Sequence, residues 1–162
     1  MSNGVTDFSR LELNLQNCLG NYRYFRSKLR RTTKLLVLVK ANAYGHGAVE
    51  FALMMQNAGA DYLAVSSLDE AMELRANGVT MPVLILGHTP KEQVGRLIEH
   101  HITQAVTCKA KALEYSREAA ALGGTLKIHI KVDTGMSRLG YLCDGSHFDG
   151  GVAGICEACG CL

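Results

Sequence analysis

The chain has 162 residues, 48% of them hydrophobic, and a formal net charge of +2 from 17 Lys+Arg against 15 Asp+Glu. That is room for one medium domain with a sizeable core, and the balanced charge excludes both a disordered tail and a uniformly basic nucleic-acid binder. No apolar run approaches the ~18 residues of a membrane helix, and the polar stretch Met1 to Arg10 lacks the apolar core of a secretory signal, so the cysteines are expected as cytoplasmic thiols rather than a disulfide framework.

Leu11-Glu12-Leu13-Asn14-Leu15 alternates like a short strand, and Asn17 to Leu29 carries Tyr22, Phe25 and Leu29 at helical spacing. Leu35 to Val39 is a continuous apolar run, as in a strand buried on both faces. A helix follows with Ala48, Phe51, Ala52 and Met55 on one face and Gly59 as its stop. Tyr62 to Val65 is the next strand, and Ser67 with Glu70 forms a capping box for a helix ending at Gly78. Val83 to Leu86 is a strand. Thr89-Pro90-Lys91-Glu92 reads as a second capping box with Pro at the first helical position, before Val94, Leu97 and Ile98. Ile102 to Val106 is a strand, Lys109 to Leu122 a helix closed by Gly123-Gly124, and Thr125 to Asp133 the fifth strand.

Strands alternating with helices predict a parallel α/β sheet with right-handed crossovers. Two architectures fit that pattern, an open doubly wound sheet and a (β/α)8 TIM-type barrel. In the last strand Leu126, Ile128, Ile130 and Val132 alternate with Lys127, His129, Lys131 and Asp133. In a barrel the apolar set would meet the outer helices and the polar set would look inward toward a site. A whole barrel needs about 250 residues, so only about its first five βα units are expected here. From Cys143 to Leu162 the composition changes to four Cys, five Gly and no Lys or Arg, and residues 143–162 are expected as a divergent tail to a barrel portion spanning 1–142. Within that tail Val152 to Leu162 suits a short helix weakened by Gly154 and Gly160.

Two segments carry chemistry. In Val39-Lys40-Ala41-Asn42-Ala43-Tyr44-Gly45-His46-Gly47 the lysine follows the first core strand, at the end where α/β barrels place their active sites. A lysine partly desolvated there suits Schiff-base chemistry; the plain structural alternative is a strand-end lysine reaching solvent. In Lys131-Val132-Asp133-Thr134-Gly135-Met136-Ser137-Arg138-Leu139-Gly140, Arg138 can clamp a carboxylate or phosphate. The alternative is an ion pair of Asp133 with Lys131 or Arg138. Cys143, His147, Cys156, Cys159 and Cys161 contain only one familiar CxxC pair, and incidental thiols are the preferred reading, with no metal.

Together the two segments resemble the cofactor-lysine motif and the strand-five motif of the alanine racemases, and Leu11 to Leu15 resembles the strand that opens that family. The resemblance runs from about Arg10 to Tyr141. It implies a pyridoxal 5′-phosphate enzyme, a bacterial, cytoplasmic homodimer that interconverts L- and D-alanine for peptidoglycan. It implies that Lys40 binds the cofactor covalently and acts as base on one face of the substrate α-carbon. Tyr44 would reach the cofactor phosphate. Arg138 would contact the substrate carboxylate and the cofactor's phenolic oxygen, and Lys131, carbamylated in some members, would orient Arg138. The family's second base, a tyrosine from the partner's C-terminal β-domain, has no counterpart in this sequence. A truncated or frame-shifted racemase, inactive or poorly active and prone to associate through its open sheet edges, is therefore the expectation. Serine racemisation, a non-catalytic pyridoxal-phosphate-binding protein and a generic phosphate-binding fragment are the alternatives.

Overall fold

The computed structural model describes residues 11–145 and 148–159. Five short strands, β1 (Leu36–Leu38), β2 (Tyr62–Val65), β3 (Val83–Ile85), β4 (Ile102–Val106) and β5 (Ile128–Ile130), form one parallel sheet in strict sequence order. A doubly wound sheet reverses its strand order part-way; this one does not. The helices α3 (Ala48–Asn57), α4 (Leu68–Ala76), α5 (Val94–Glu99) and α6 (Lys109–Ala121) connect consecutive strands, and α1 (Leu15–Lys28) precedes β1.

The pleat sorts the side chains as the alternation in the last strand predicts. Val37, Leu63, Val65, Val83 and Ile85 pack with Met55, Leu74 and Leu97 from the helices, while Ile128 and Ile130 pack with Ala112 and Tyr115 of α6. The opposite face gathers Leu36, Tyr62, Ala64, Leu84, Leu86 and Ala105 into a separate strand-only cluster. Helices on one face and side chains meeting one another on the other describe a curling sheet. Tyr62 and His129, on β2 and β5, bring their rings to 5.7 Å between centres, although three strand spacings in a flat sheet are about 14 Å. The Tyr62 and Thr103 hydroxyls meet at 2.6 Å on the same face.

Several local expectations are corrected. Leu11 to Leu15 is not a strand. Asn14 accepts from the Asn17 amide at 3.0 Å as the cap of α1, and this local cap prevails over an alternation with no neighbouring strand to pair with; Leu11 and Leu15 are exposed. The Thr89 capping box does not form. The Thr89 hydroxyl is buried and donates to Gln104 Oε1 at 2.6 Å, and Pro90 instead precedes a 3₁₀ turn, Lys91–Gln93. The fifth strand divides at Lys131. Its amide bonds to Val106 on β4, but its carbonyl accepts from Tyr141, so the chain leaves the main sheet. A second ladder follows, β6 (Val132–Asp133) with β7 (Tyr141–Leu142).

The final helix, α7 (Phe148–Cys159), begins earlier than its apolar pattern suggests and packs on β7 and α6. Two of its glycines, poor helix formers, suit that packing: a Cβ at Gly151 would collide with the Leu142 carbonyl oxygen, and one at Gly154 would lie 3.1 Å from the Tyr141 ring. The expectations for Met1 to Arg10, and those involving Ser146, His147, Gly160, Cys161 and Leu162, lie outside the described residues. No helix among the described residues is long and apolar enough to cross a membrane.

Candidate functional site

The C-terminal ends of the five parallel strands share one side of the sheet, and both chemical segments lie there. Val39 is fully buried and donates to the Ala64 carbonyl at 2.9 Å, extending the β1 ladder by one residue. Lys40 follows it, half-buried. The chain then enters α2 (Lys40–Tyr44), a single turn that is left-handed. Ala41, Asn42, Ala43 and Tyr44 have φ of 51°, 54°, 49° and 55°. Each such residue costs on the order of 1–2 kcal/mol when it is not glycine, so this turn persists only because its surroundings hold it.

The supports are specific. The Ala43 side chain is buried. The Ala41 amide donates to Glu70 Oε1 at 2.8 Å, and the same carboxylate's Oε2 accepts from the Ser66 amide at 2.6 Å. Asn42 Oδ1 accepts from the Ala48 amide at 2.8 Å and so caps α3. Gly45 and Gly47, at φ 93° and 85°, complete the reversal into that helix. Tyr44 is exposed, and the Lys40 ammonium stands 5.9 Å from its ring centre, at the outer limit of a cation–π contact.

The segment after β5 is built around Asp133. Its carboxylate accepts the backbone amides of Gly135 and Ser137 at 3.0 Å each and of Arg138 at 2.8 Å. These bonds hold its pKa at about 2, well below the ordinary 3.8, because hydrogen bonds to the charged form favour it. The ion-pair alternative is thereby replaced: among the described residues the Asp133 partners are backbone N–H groups, not the side chains of Lys131 or Arg138. Gly140, at φ 124°, lies against Lys131, and a Cβ there would sit 2.8 Å from the Lys131 carbonyl oxygen. Arg138 is exposed and lines a cleft of about 380 Å³ with Thr107, Asp133, Ser137 and Leu142. Lys131 is half-buried at the junction of the two ladders.

Lys40 thus follows the end of β1, and Arg138 lies beyond β5 in the connection from β6 to β7. Sequence reasoning missed the left-handed turn, the reach of Glu70 and the Asp133 amide cradle. It also missed a buried polar brace beneath the β3 end, where Gln104 Nε2 donates to the Gly87 carbonyl and the Tyr115 hydroxyl donates to the Thr89 carbonyl. Burial pushes the Tyr115 hydroxyl pKa up. No cluster of three or more metal-ligating side chains occurs among the described residues.

Comparison with known proteins adds to this geometry. The family described as "Alanine racemase, N-terminal domain" matches residues 13–156. "Alanine racemase 2" of Caldanaerobacter subterraneus subsp. tengcongensis is 43% identical over 133 residues, which are 82% of this chain and 34% of that protein. The solved alanine racemase of Clostridium difficile 630 superposes with a TM-score of 0.79 at 37% identity, covering 89% of this chain and 37% of that one. A histidine racemase from Leuconostoc mesenteroides subsp. sake superposes with a TM-score of 0.73 at 27% identity, covering 89% of this chain and 38% of that one. The chain therefore spans about a third of the length of these relatives.

Proposed function

The chain belongs to the alanine racemase N-terminal domain family, its sheet being five consecutive units of the family's barrel, and on that premise we propose that it supplies the cofactor-lysine part of a pyridoxal-phosphate isomerase that interconverts L- and D-alanine. The observation that carries this reading is the position of Lys40: half-buried, directly after the buried Val39, at the catalytic end of β1.

The residues present suit the cofactor. An amine held at a strand end by a rigid turn, a tyrosine four residues on, and an arginine whose backbone is fixed by Asp133 match its aldehyde and anionic groups in chemical type. When bound, pyridoxal phosphate supplies an electron sink for the pair left behind as the α-proton departs. Lys40 then holds the cofactor and moves the α-proton on one face. Tyr44 would help hold the phosphate. Arg138 pairs with the substrate carboxylate and the phenolic oxygen, and Lys131 sets the direction of Arg138. Inversion needs a second acid/base group on the opposite face, and we assign it to the partner subunit of a homodimer. Supply of D-alanine to peptidoglycan in a bacterial cytoplasm is the corresponding role. The histidine racemase neighbour favours keeping the amino-acid side chain open within the same chemistry.

The test is capture of pyridoxal phosphate by the purified chain, fixed with borohydride and mapped by mass spectrometry. Label concentrated on Lys40, and lost in Lys40→Ala, is expected. Label spread evenly over the surface lysines would overturn the reading. Exchange of alanine's α-hydrogen with heavy water then separates turnover from binding alone.

A further inference from the structure

Glu70 lies at the start of α4, where a capping box would return its carboxylate to the amide of the Ser67 cap. Only half of that box forms. Ser67 Oγ accepts from the Glu70 amide at 3.4 Å. The carboxylate goes elsewhere: one oxygen takes the Ser66 amide at the end of β2, and the other crosses to the Ala41 amide at the end of β1. One side chain therefore ties the C-terminal ends of two neighbouring strands, reaching Ala41 from twenty-nine residues further along the sequence.

The point it holds on β1 is the peptide that joins Lys40 to the left-handed turn. We propose that Glu70 is a positioning residue for Lys40: by fixing the Ala41 amide it sets the direction in which the lysine leaves β1. The assignment rests on the role given to Lys40 above. Chemistry fits a carboxylate here and no other group of that length. Both partners are donors, and an ionised carboxylate is acceptor-only, with two oxygens to offer. Glutamine would keep the length but present an NH₂ to one of two N–H groups. The Asn42 tie to Ala48 fastens the far side of the same turn, so the turn is held at both ends and its strain cannot relax through Lys40 while both ties stand.

The experiment compares the wild-type chain with Glu70→Gln, with Glu73→Gln as a control on an exposed carboxylate of the same helix. Three quantities are read. Amide exchange at residues 41–44 and 66 is expected to rise about tenfold in Glu70→Gln, with α6 unchanged as a reference against general unfolding. Capture of pyridoxal phosphate is followed by borohydride. In that step the Lys40 nitrogen bonds to the aldehyde carbon and the carbonyl oxygen leaves as water. Borohydride then adds hydride to that carbon, and solvent protonates the nitrogen. The rate at Lys40 is expected to fall about tenfold. Trace acetylation of Lys40, read against the exposed Lys34, is expected to rise, since a loosened lysine meets solvent more often. Unchanged local exchange would overturn the clamp. Faster exchange with unchanged Lys40 acetylation would overturn the positioning role. A wild-type chain that captures no pyridoxal phosphate at Lys40 would overturn the cofactor reading, and the acetylation contrast would still decide the positioning.

Discussion

Two loops at the same end of the sheet each present a cation, and they are built on opposite plans. The turn after β1 takes four non-glycine residues through left-handed backbone and relies on a carboxylate twenty-nine residues away. The segment after β5 keeps its carboxylate, Asp133, within five residues of every amide it holds. It gives its widest positive φ values to Gly135 and Gly140, with Ser137 the one non-glycine residue there. The second loop can form as soon as its own residues meet. The first exists only once β2 and α4 are in place beside it. The group read as carrying the cofactor sits on the loop that depends on the surrounding fold.

The comparison can be broken most strongly at Asp133. Replacing it by alanine removes the acceptor of three amides at once; exchange at Gly135, Ser137 and Arg138 should rise about a hundredfold, with the turn at 41–44 unaffected. Amide exchange by mass spectrometry, read peptide by peptide, checks both halves of that statement. Acid should produce the same loss reversibly. The folded pKa of about 2 lies below the ordinary 3.8, so the stabilisation is complete above that ordinary value and is lost as pH falls through the interval between them. A loop whose exchange protection declines around neutral pH instead would contradict the cradle.

Smaller effects are expected in the β1 turn. Asn42→Ala removes the cap on Ala48 and places alanine at φ 54°, a cost of about 1–2 kcal/mol, seen as a Tm lower by about 3–6 °C. Ala41→Gly should act in the opposite direction. Its side chain is exposed and its φ is 51°, so relief of left-handed strain exceeds the entropy glycine adds to the unfolded chain by about 0.5 kcal/mol. A Tm raised by about 1–2 °C in calorimetry is the expected outcome, and a lower Tm would show that the turn is not strained.

The sequence was readable where one period governs a segment. Tyr62 to Val65 matches β2 residue for residue, Lys109 begins α6, and His129 lies opposite the helix face that Ile128 and Ile130 share, because burial on one face imposes alternation. Lys40 and Arg138 were visible as candidates, since motif and position along the chain alone single them out. Their supports were not. Glu70 carries a local signature that suggests Ser67 as its partner, and only the pairing of β1 with β2 brings Ala41 within its reach. Asp133 stood between two cations and so suggested an ion pair, whereas the backbone folds its own amides onto the carboxylate first. Leu11 to Leu15 shows the same limit in reverse: an alternating pattern needs a partner strand, and Asn14 had a nearer use.

The strict order of the main sheet pairs each strand only with its neighbours along the chain. It also grades the protection of the sheet. The central strand β3 is paired on both sides and its side chains are buried throughout, whereas β1 presents one open edge with Leu38 exposed to solvent. Opening is therefore expected first at the two edge strands, β1 and β5, and last at β3 and β4, so the edge beside Lys40, the group read as carrying the cofactor, is among the first to sample loosened states.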